Sequence, residues 1–259
     1  MSTALSLRAF EYWRFQYRRT WRGTIVTSIL NPLLYLAAMG IGLGTLVKGQ
    51  RASSLGTNGS YLEFVAPALV ATTAFQTGMF EAMYPVMASI KWIKTYVAML
   101  ASPLGTRDVL NGHLMWMVLR ILQTSAAFLV IGALFGGFPS WDALWCLPIA
   151  LLLGMAAALP MTAFSAHTQQ ESSFAAIQRF IIIPMFLFSG TFFPLSKLPL
   201  PLELIAWLTP LSHGVALARS AAQGKLELLP TLGHVGYLAL WCVVGFWLAH
   251  RIYRRRLRP

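Results

Sequence analysis

The chain has 259 residues, of which 57% are hydrophobic and only 11% charged, too few charges to cover a water-facing surface, because a soluble domain carries roughly 25%. Lipid is the alternative solvent, and crossings of about 20 apolar residues each fit this length as a single domain. The net charge of +12 is distributed in short clusters between apolar runs, the pattern that encodes membrane topology and not the stripe of a nucleic-acid-binding protein.

Residues 1–22 predict an amphipathic helix. Leu7, Phe10, Trp13, Tyr17 and Trp21 fall on one side, while Arg8, Glu11, Arg14, Arg18, Arg19 and Arg22 fall on the other, with Phe15 as the exception. Such a helix suits an anionic membrane surface, where its tryptophans reach the headgroup region. Six spans are expected within residues 23–249. They run from about Thr24 to Val47, Tyr61 to Tyr84, His113 to Phe135, Trp141 to Phe164, Phe174 to Pro194 and Leu229 to Ala249. Asn31-Pro32 should kink the first. A loop holding Lys48, Arg51, Asn58 and Gly59 follows it, and residues 250–259 form a basic tail. The fold class is therefore all-α and polytopic. Lysines and arginines gather in the N-terminal helix, the 85–112 connection and the tail, which places both termini in the cytoplasm and the chain in the inner (plasma) membrane. Cys146 and Cys242 lie inside apolar runs and read as small buried hydrophobes.

The sequence has no phosphate-cradling G-x-x-x-x-G-K-[ST]. His167 and Glu171 are four apart without the second histidine a zinc site needs, so neither a metal site nor a catalytic set is expected. Glu81, Arg120 and Arg179 are charges inside predicted spans, which are costly and face partners or a pathway. Glu81 can pair with Arg120 or with Arg179, either as a structural ion pair or as a clamp between spans that move. The stretch from Lys91 to Leu104 is too charged to span and too apolar for a free loop. Trp92, Tyr96 and Met99 can share one helical face there, ended by Pro103. Such a helix binds lipid or a protein partner, and composition does not choose between them.

Two motifs carry a family resemblance. Phe186-Leu187-Phe188-Ser189-Gly190-Thr191-Phe192-Phe193-Pro194, followed by Leu198-Pro199 and Thr209-Pro210-Leu211-Ser212-His213, resembles the fifth-span signature of type-2 ABC exporter permeases, in the branch of nodulation lipo-oligosaccharide and drug-resistance exporters. Met99-Leu100-Ala101-Ser102-Pro103-Leu104, then Asp108-Val109 and Gly112, is similar to that family's second-to-third-span connection. The resemblance implies an ATP-binding cassette subunit as partner, which would hold the ATP and Mg, and a second permease copy. Lys91, Trp92, Lys94, Tyr96, Met99, Leu100, Ser102 and Pro103 would then form the coupling helix that docks on the ATPase. Pro199 to Lys225 would form short helices that dip into the outer leaflet, and Pro201 and Pro210 do bracket a piece too short to span. Phe75, Met79, Phe180, Met185 and Phe188 are candidate pathway residues. The implied function is export of an amphipathic or lipid-linked substrate by a non-enzymatic subunit. A secondary carrier or channel, working without an ATPase, is the alternative. A lipid-modifying enzyme would need paired carboxylates or a nucleophile–base set, which the sequence does not offer.

Overall fold

The computed structural model describes residues 2–38, Gly42 and 60–257. The end of the first predicted span, the loop with Lys48, Arg51, Asn58 and Gly59, and Arg258 of the tail lie outside the described residues. Within them all regular structure is helical. In chain order, α1 is Ser2–Ala37, α2 is Tyr61–Ala82 and α3 is Tyr84–Met87, which runs into a π-helical turn, Ala88–Trp92. Then come α4 (Thr95–Leu100), α5 (Thr106–Leu134) and α6 (Cys146–His167). The chain closes with α7 (Ser172–Phe188, with a π-helical turn inside), α8 (Leu200–Trp207), α9 (Pro210–Ala222) and α10 (Leu228–Arg256).

α6 is the hub, touching α2, α5, α9 and α10. Its sequence is rich in alanine, and without a hydrophobic driving force in lipid such helices gain by letting backbones approach. The closest approach is at Gly78 of α2, where an added Cβ would meet the Gly154 backbone of α6, its carbonyl carbon at 3.0 Å. On the opposite side, Gly245 of α10 faces Pro160, whose ring nitrogen would lie 2.7 Å from such a Cβ. Cys146 sits buried at this hub with its thiol 3.4 Å from the Ala218 carbonyl, as expected of a small apolar residue.

The N-terminal half differs from the expected layout. The helix does not stop at residue 22 but runs unbroken through Pro32 to Ala37. Its first turns lie along the start of α5: Ser6 Oγ donates to Asp108 at 3.0 Å, Ala9 abuts Gly112 and Trp13 stacks on His113 at 4.1 Å. Numbers rise together on both helices, so they run in parallel. The inward face is Ser6, Ala9 and Trp13, whereas Leu7 and Trp21, predicted on the apolar side, are exposed. The six charged residues do face outward. Gly23 is the only helix breaker between the two halves, and nothing forces the chain to turn there.

Three helical stretches among the described residues are long and apolar enough to cross a membrane: α5, Trp141–His167 and α10. α8 and α9 meet at 85° and make a fourth if counted together. The count of six also needs α1, α2 and α7. α1 carries five arginines in its first 22 residues, α2 holds Glu63 and Glu81, and α7 falls in the 10–17 residue class of shorter apolar helices.

Replacing Gly78 by alanine should overpack the α2–α6 crossing and lower stability by about 1–3 kcal/mol. Gly233→Ala, with nothing within 4 Å of the new Cβ, should leave it unchanged or slightly higher. Thermal unfolding of the two variants in detergent measures the difference.

Candidate functional site

At one end of the bundle the start of α1, the α3–α4 connection, the start of α5 and the end of α10 come together. The connection is not the single helix expected from Lys91 to Leu104. Lys94 adopts the left-handed conformation (φ 56°), which costs a non-glycine residue roughly 1–2 kcal/mol and breaks the helix between Trp92 and Tyr96. Trp92 and Tyr96 therefore do not share a face. Lys91, Trp92, Ile93, Lys94 and Val97 point outward, with Ser102 and Pro103 also exposed. Tyr96 turns inward and is fully buried, while Met99 and Leu100 are half-buried against the core.

Tyr96 ties this connection to two other helices. The Tyr253 hydroxyl of α10 donates to the Tyr96 oxygen at 3.2 Å, so the proton of Tyr96 is free to go to Nδ1 of His113 on α5, its other partner. Burial, reinforced by Tyr253, pushes the Tyr96 pKa well above its ordinary value, keeping the hydroxyl protonated as a donor. The Trp13 indole of α1 closes the stack on His113, and the hydroxyls of Tyr12 and Thr95 lie 3.4 Å apart. Asp108 holds the first turn of α5, accepting from the Gly105 backbone at 3.1 Å as an acidic cap should and binding Ser6 with its other oxygen. This gives the Asp108–Gly112 motif a physical role: Asp108 caps α5, and Gly112 makes room for Ala9.

Beside this knot runs a polar seam between α1, α2 and α5. Arg120 Nε is 2.8 Å from Glu81 Oε1, so the ion pair forms within the choices the sequence left open, and Arg179 lies exposed on α7 outside it. Trp116 donates to the other Glu81 oxygen at 3.3 Å. Arg120 also donates to Gln123 at 3.1 Å, Gln123 to the Tyr17 hydroxyl at 2.6 Å, and the guanidinium stands 5.4 Å over the Tyr17 ring. The pair separates two cavities of about 260 and 220 Å³, both of which it lines. One is walled by Gln16, Thr20 and Thr24, the other by Asn31, Gln76 and Thr77. Hydroxyl and amide groups thus follow α1 for several turns. Phe75 and Met79 lie in the core and do not reach these cavities; the open face of α2 is Thr73, Gln76, Thr77 and Phe80. Phe180 and Phe188 are exposed on α7 and Met185 is half-buried there.

At the opposite end, Arg219 of α9 organises the Phe186–Pro194 motif. It donates to the Gly190 carbonyl at 2.8 Å and the Phe64 carbonyl at 3.2 Å, and its guanidinium lies 3.6 Å from the centre of the Phe64 ring. Tyr61 donates to the Phe192 carbonyl at 3.0 Å. Gly190 has φ +84°, a turn that favours glycine, and the side chains of Ser189 and Thr191 bond each other at 2.8 Å. Arg219 was not among the predicted site residues. The signal was a lone arginine in an apolar helix with no nearby acid, whose five donors have to find carbonyls.

The Phe186–Pro194 turn is held by the part-buried Arg219, and the Lys91–Leu104 connection is exposed outside and anchored from beneath by Tyr96. Residues 6–222 match the ABC-2 type transporter family. The chain belongs to that family. This ABC-2 transporter chain is also 31% identical over 257 residues to Nodulation protein J of Rhizobium leguminosarum bv. trifolii, covering 97% of the chain and 95% of that protein. It is 30% identical over 252 residues to Nodulation protein J of Rhizobium meliloti (strain 1021), covering 95% and 93%. Membership makes the ABC-2 chain an integral membrane protein and a transport component.

Tyr96→Phe should cost about 1–3 kcal/mol, because it strands His113 Nδ1 without its buried partner, whereas Trp92→Ala should stay within about 0.5 kcal/mol. In a double-mutant cycle of Glu81→Ala and Arg120→Ala, the double variant should recover part of the loss, with a coupling of about 0.5–3 kcal/mol. Denaturation midpoints of the purified variants check both.

Proposed function

We propose that the chain is the transmembrane permease subunit of an ATP-binding cassette exporter, moving an amphipathic or lipid-linked substrate out of the cytoplasm or inner leaflet. The observation that carries this reading is the exposed surface Lys91, Trp92, Ile93, Lys94 and Val97, mounted on a segment that Tyr96 locks to α5 and α10. A surface that is apolar and cationic outside and rigidly anchored inside can receive a push from a partner and pass it to the bundle. The partner is an ATPase subunit, which binds ATP and Mg; this chain contributes no catalytic group. Its closure would tilt the α4 connection, and with it α1, α5 and α10, as packed bodies.

The topology in this reading has six spans with both termini in the cytoplasm, α1, α2 and α7 completing the three crossings that length and apolarity mark. The bent pair α8–α9 would be re-entrant, its short helices tolerated at membrane depth because α9 is buried against α2 and α6. Two copies would face each other, with substrate passing along the polar seam of α1 and α2. The hydroxyls and amides there suit a polar headgroup, and the exposed Phe80, Phe180 and Phe188 an apolar tail.

The test is purification in mild detergent with the neighbouring ATP-binding subunit, comparing wild type with Trp92→Asp/Val97→Asp. Both positions are exposed, so the variant should keep its melting temperature while losing the ATPase subunit and its stimulated hydrolysis. A folded wild type that binds no ATPase would instead point to a carrier or channel.

A further inference from the structure

The outer face of α10 is patterned from end to end. Leu229, Leu232, Leu240, Val243, Val244 and Trp247 are all exposed and follow one another at helical spacing, so they form a single stripe. From Leu229 to Trp247 the helix climbs about 27 Å at about 1.5 Å per residue, close to the roughly 30 Å of a bilayer's hydrocarbon core. Trp247 then stands where an interfacial tryptophan belongs. Arg251, Arg254 and Arg255 continue the same stripe one and two turns beyond it.

These arginines frame a cleft of about 430 Å³, lined by Trp247, His250, Arg251, Arg254 and Arg255. The Arg251 guanidinium lies 5.3 Å over the Trp247 ring. Arg107, in the first turn of α5, is close enough to bear electrostatically on His250 along with Arg254. Among the described residues no carboxylate pairs with any of these cations, and His250 Nδ1 is buried without a hydrogen-bond partner. Uncompensated guanidinium groups converging on one cleft call for an anion with several acceptor oxygens. The apolar stripe leading up to the cleft calls for the same molecule to carry hydrocarbon.

We propose that the C-terminal end of α10 binds an anionic phospholipid, its phosphate among Arg251, Arg254 and Arg255 and its acyl chains along Leu240 to Trp247. The stripe distinguishes this occupant from a free anion, and the uncompensated charge distinguishes it from a zwitterionic lipid. The site does not depend on an ATPase partner, only on α10 lying in the membrane.

The full chain, purified in detergent, is melted with added phosphatidylglycerol, phosphatidylcholine or inorganic phosphate. Phosphatidylglycerol should raise the melting temperature by several degrees more than phosphatidylcholine, and inorganic phosphate should have no effect. Arg251→Gln/Arg254→Gln/Arg255→Gln should lose most of that difference, while Lys197→Gln/Lys225→Gln, exposed near the other end of the bundle, should keep it. If the triple variant folds poorly, Arg255→Gln alone, an exposed position, should halve the shift, and Arg255→Lys should restore it. A triple variant that keeps the full phosphatidylglycerol shift overturns the site, including the case where it loses an ATPase partner instead, since the cleft would then be a protein contact. A shift produced equally by inorganic phosphate overturns the lipid assignment.

Discussion

The Tyr96–His113–Tyr253 cluster is the constraint on which the exposed end of the molecule depends. Three polar side chains from three elements are buried together, and their mutual bonds offset part of the cost of burying them, with His113 Nε2 left without a hydrogen-bond partner. Tyr96 accepts from Tyr253 and gives to His113, and Trp13 covers the imidazole. Because the chain carrying Tyr96 also carries the outward Trp92 and Val97, the buried cluster fixes the position of an otherwise exposed surface. The left-handed Lys94 is the local strain that lets one short segment face both ways.

The same logic recurs at the two other polar places in the bundle. Arg120 is held by Glu81 and Gln123, and Arg219 by carbonyls and the Phe64 ring. In each case the guanidinium is held in a directional network and therefore fixes relative helix positions. Arg120 links α5 to α2 and, through Gln123, to α1. Arg219 links α9 to α2 and to the turn after α7. Between these polar ties, the helices close on α6 through small residues, where the Gly78–Gly154 crossing sets how near α2 can come.

These ties also divide the molecule mechanically. The hub of α2, α6 and α10 packs by shape, whereas α1 is attached along much of its length through side chains bordering polar cavities. An interface of hydrogen-bonding groups and open volume can change its partners at lower cost than a close-packed one. That contrast leaves open polar volume along the middle of α1, beyond its close contact with α5 at Ala9 and Gly112, and little around α6.

Much of this was legible in the residues themselves. Composition excluded a water-soluble fold, apolar length marked α5, α6 and α10, and the two prolines around α8 marked a helix too short to cross. With Arg120 and Arg179 the arginines inside the predicted spans, Glu81 had few partners, and Arg120 was one of them. Other features depended on where distant segments meet. Periodicity put Trp92, Tyr96 and Met99 on one face, since nothing local announces that Lys94 turns left-handed; that conformation is stabilised by the burial of Tyr96 against helices far along the chain. Likewise the aromatic side of residues 1–22 could be read as facing lipid until α5 supplied Gly112 and His113 to pack on. Phe75 and Met79 looked like pathway residues because apolar side chains in a span carry no mark of whether they face a neighbour or a cavity. Sequence determined which segments leave water and where charge must be neutralised, because transfer energies belong to residues. Tertiary structure alone decided which buried polar groups meet, because hydrogen bonds are directional and need a partner in place.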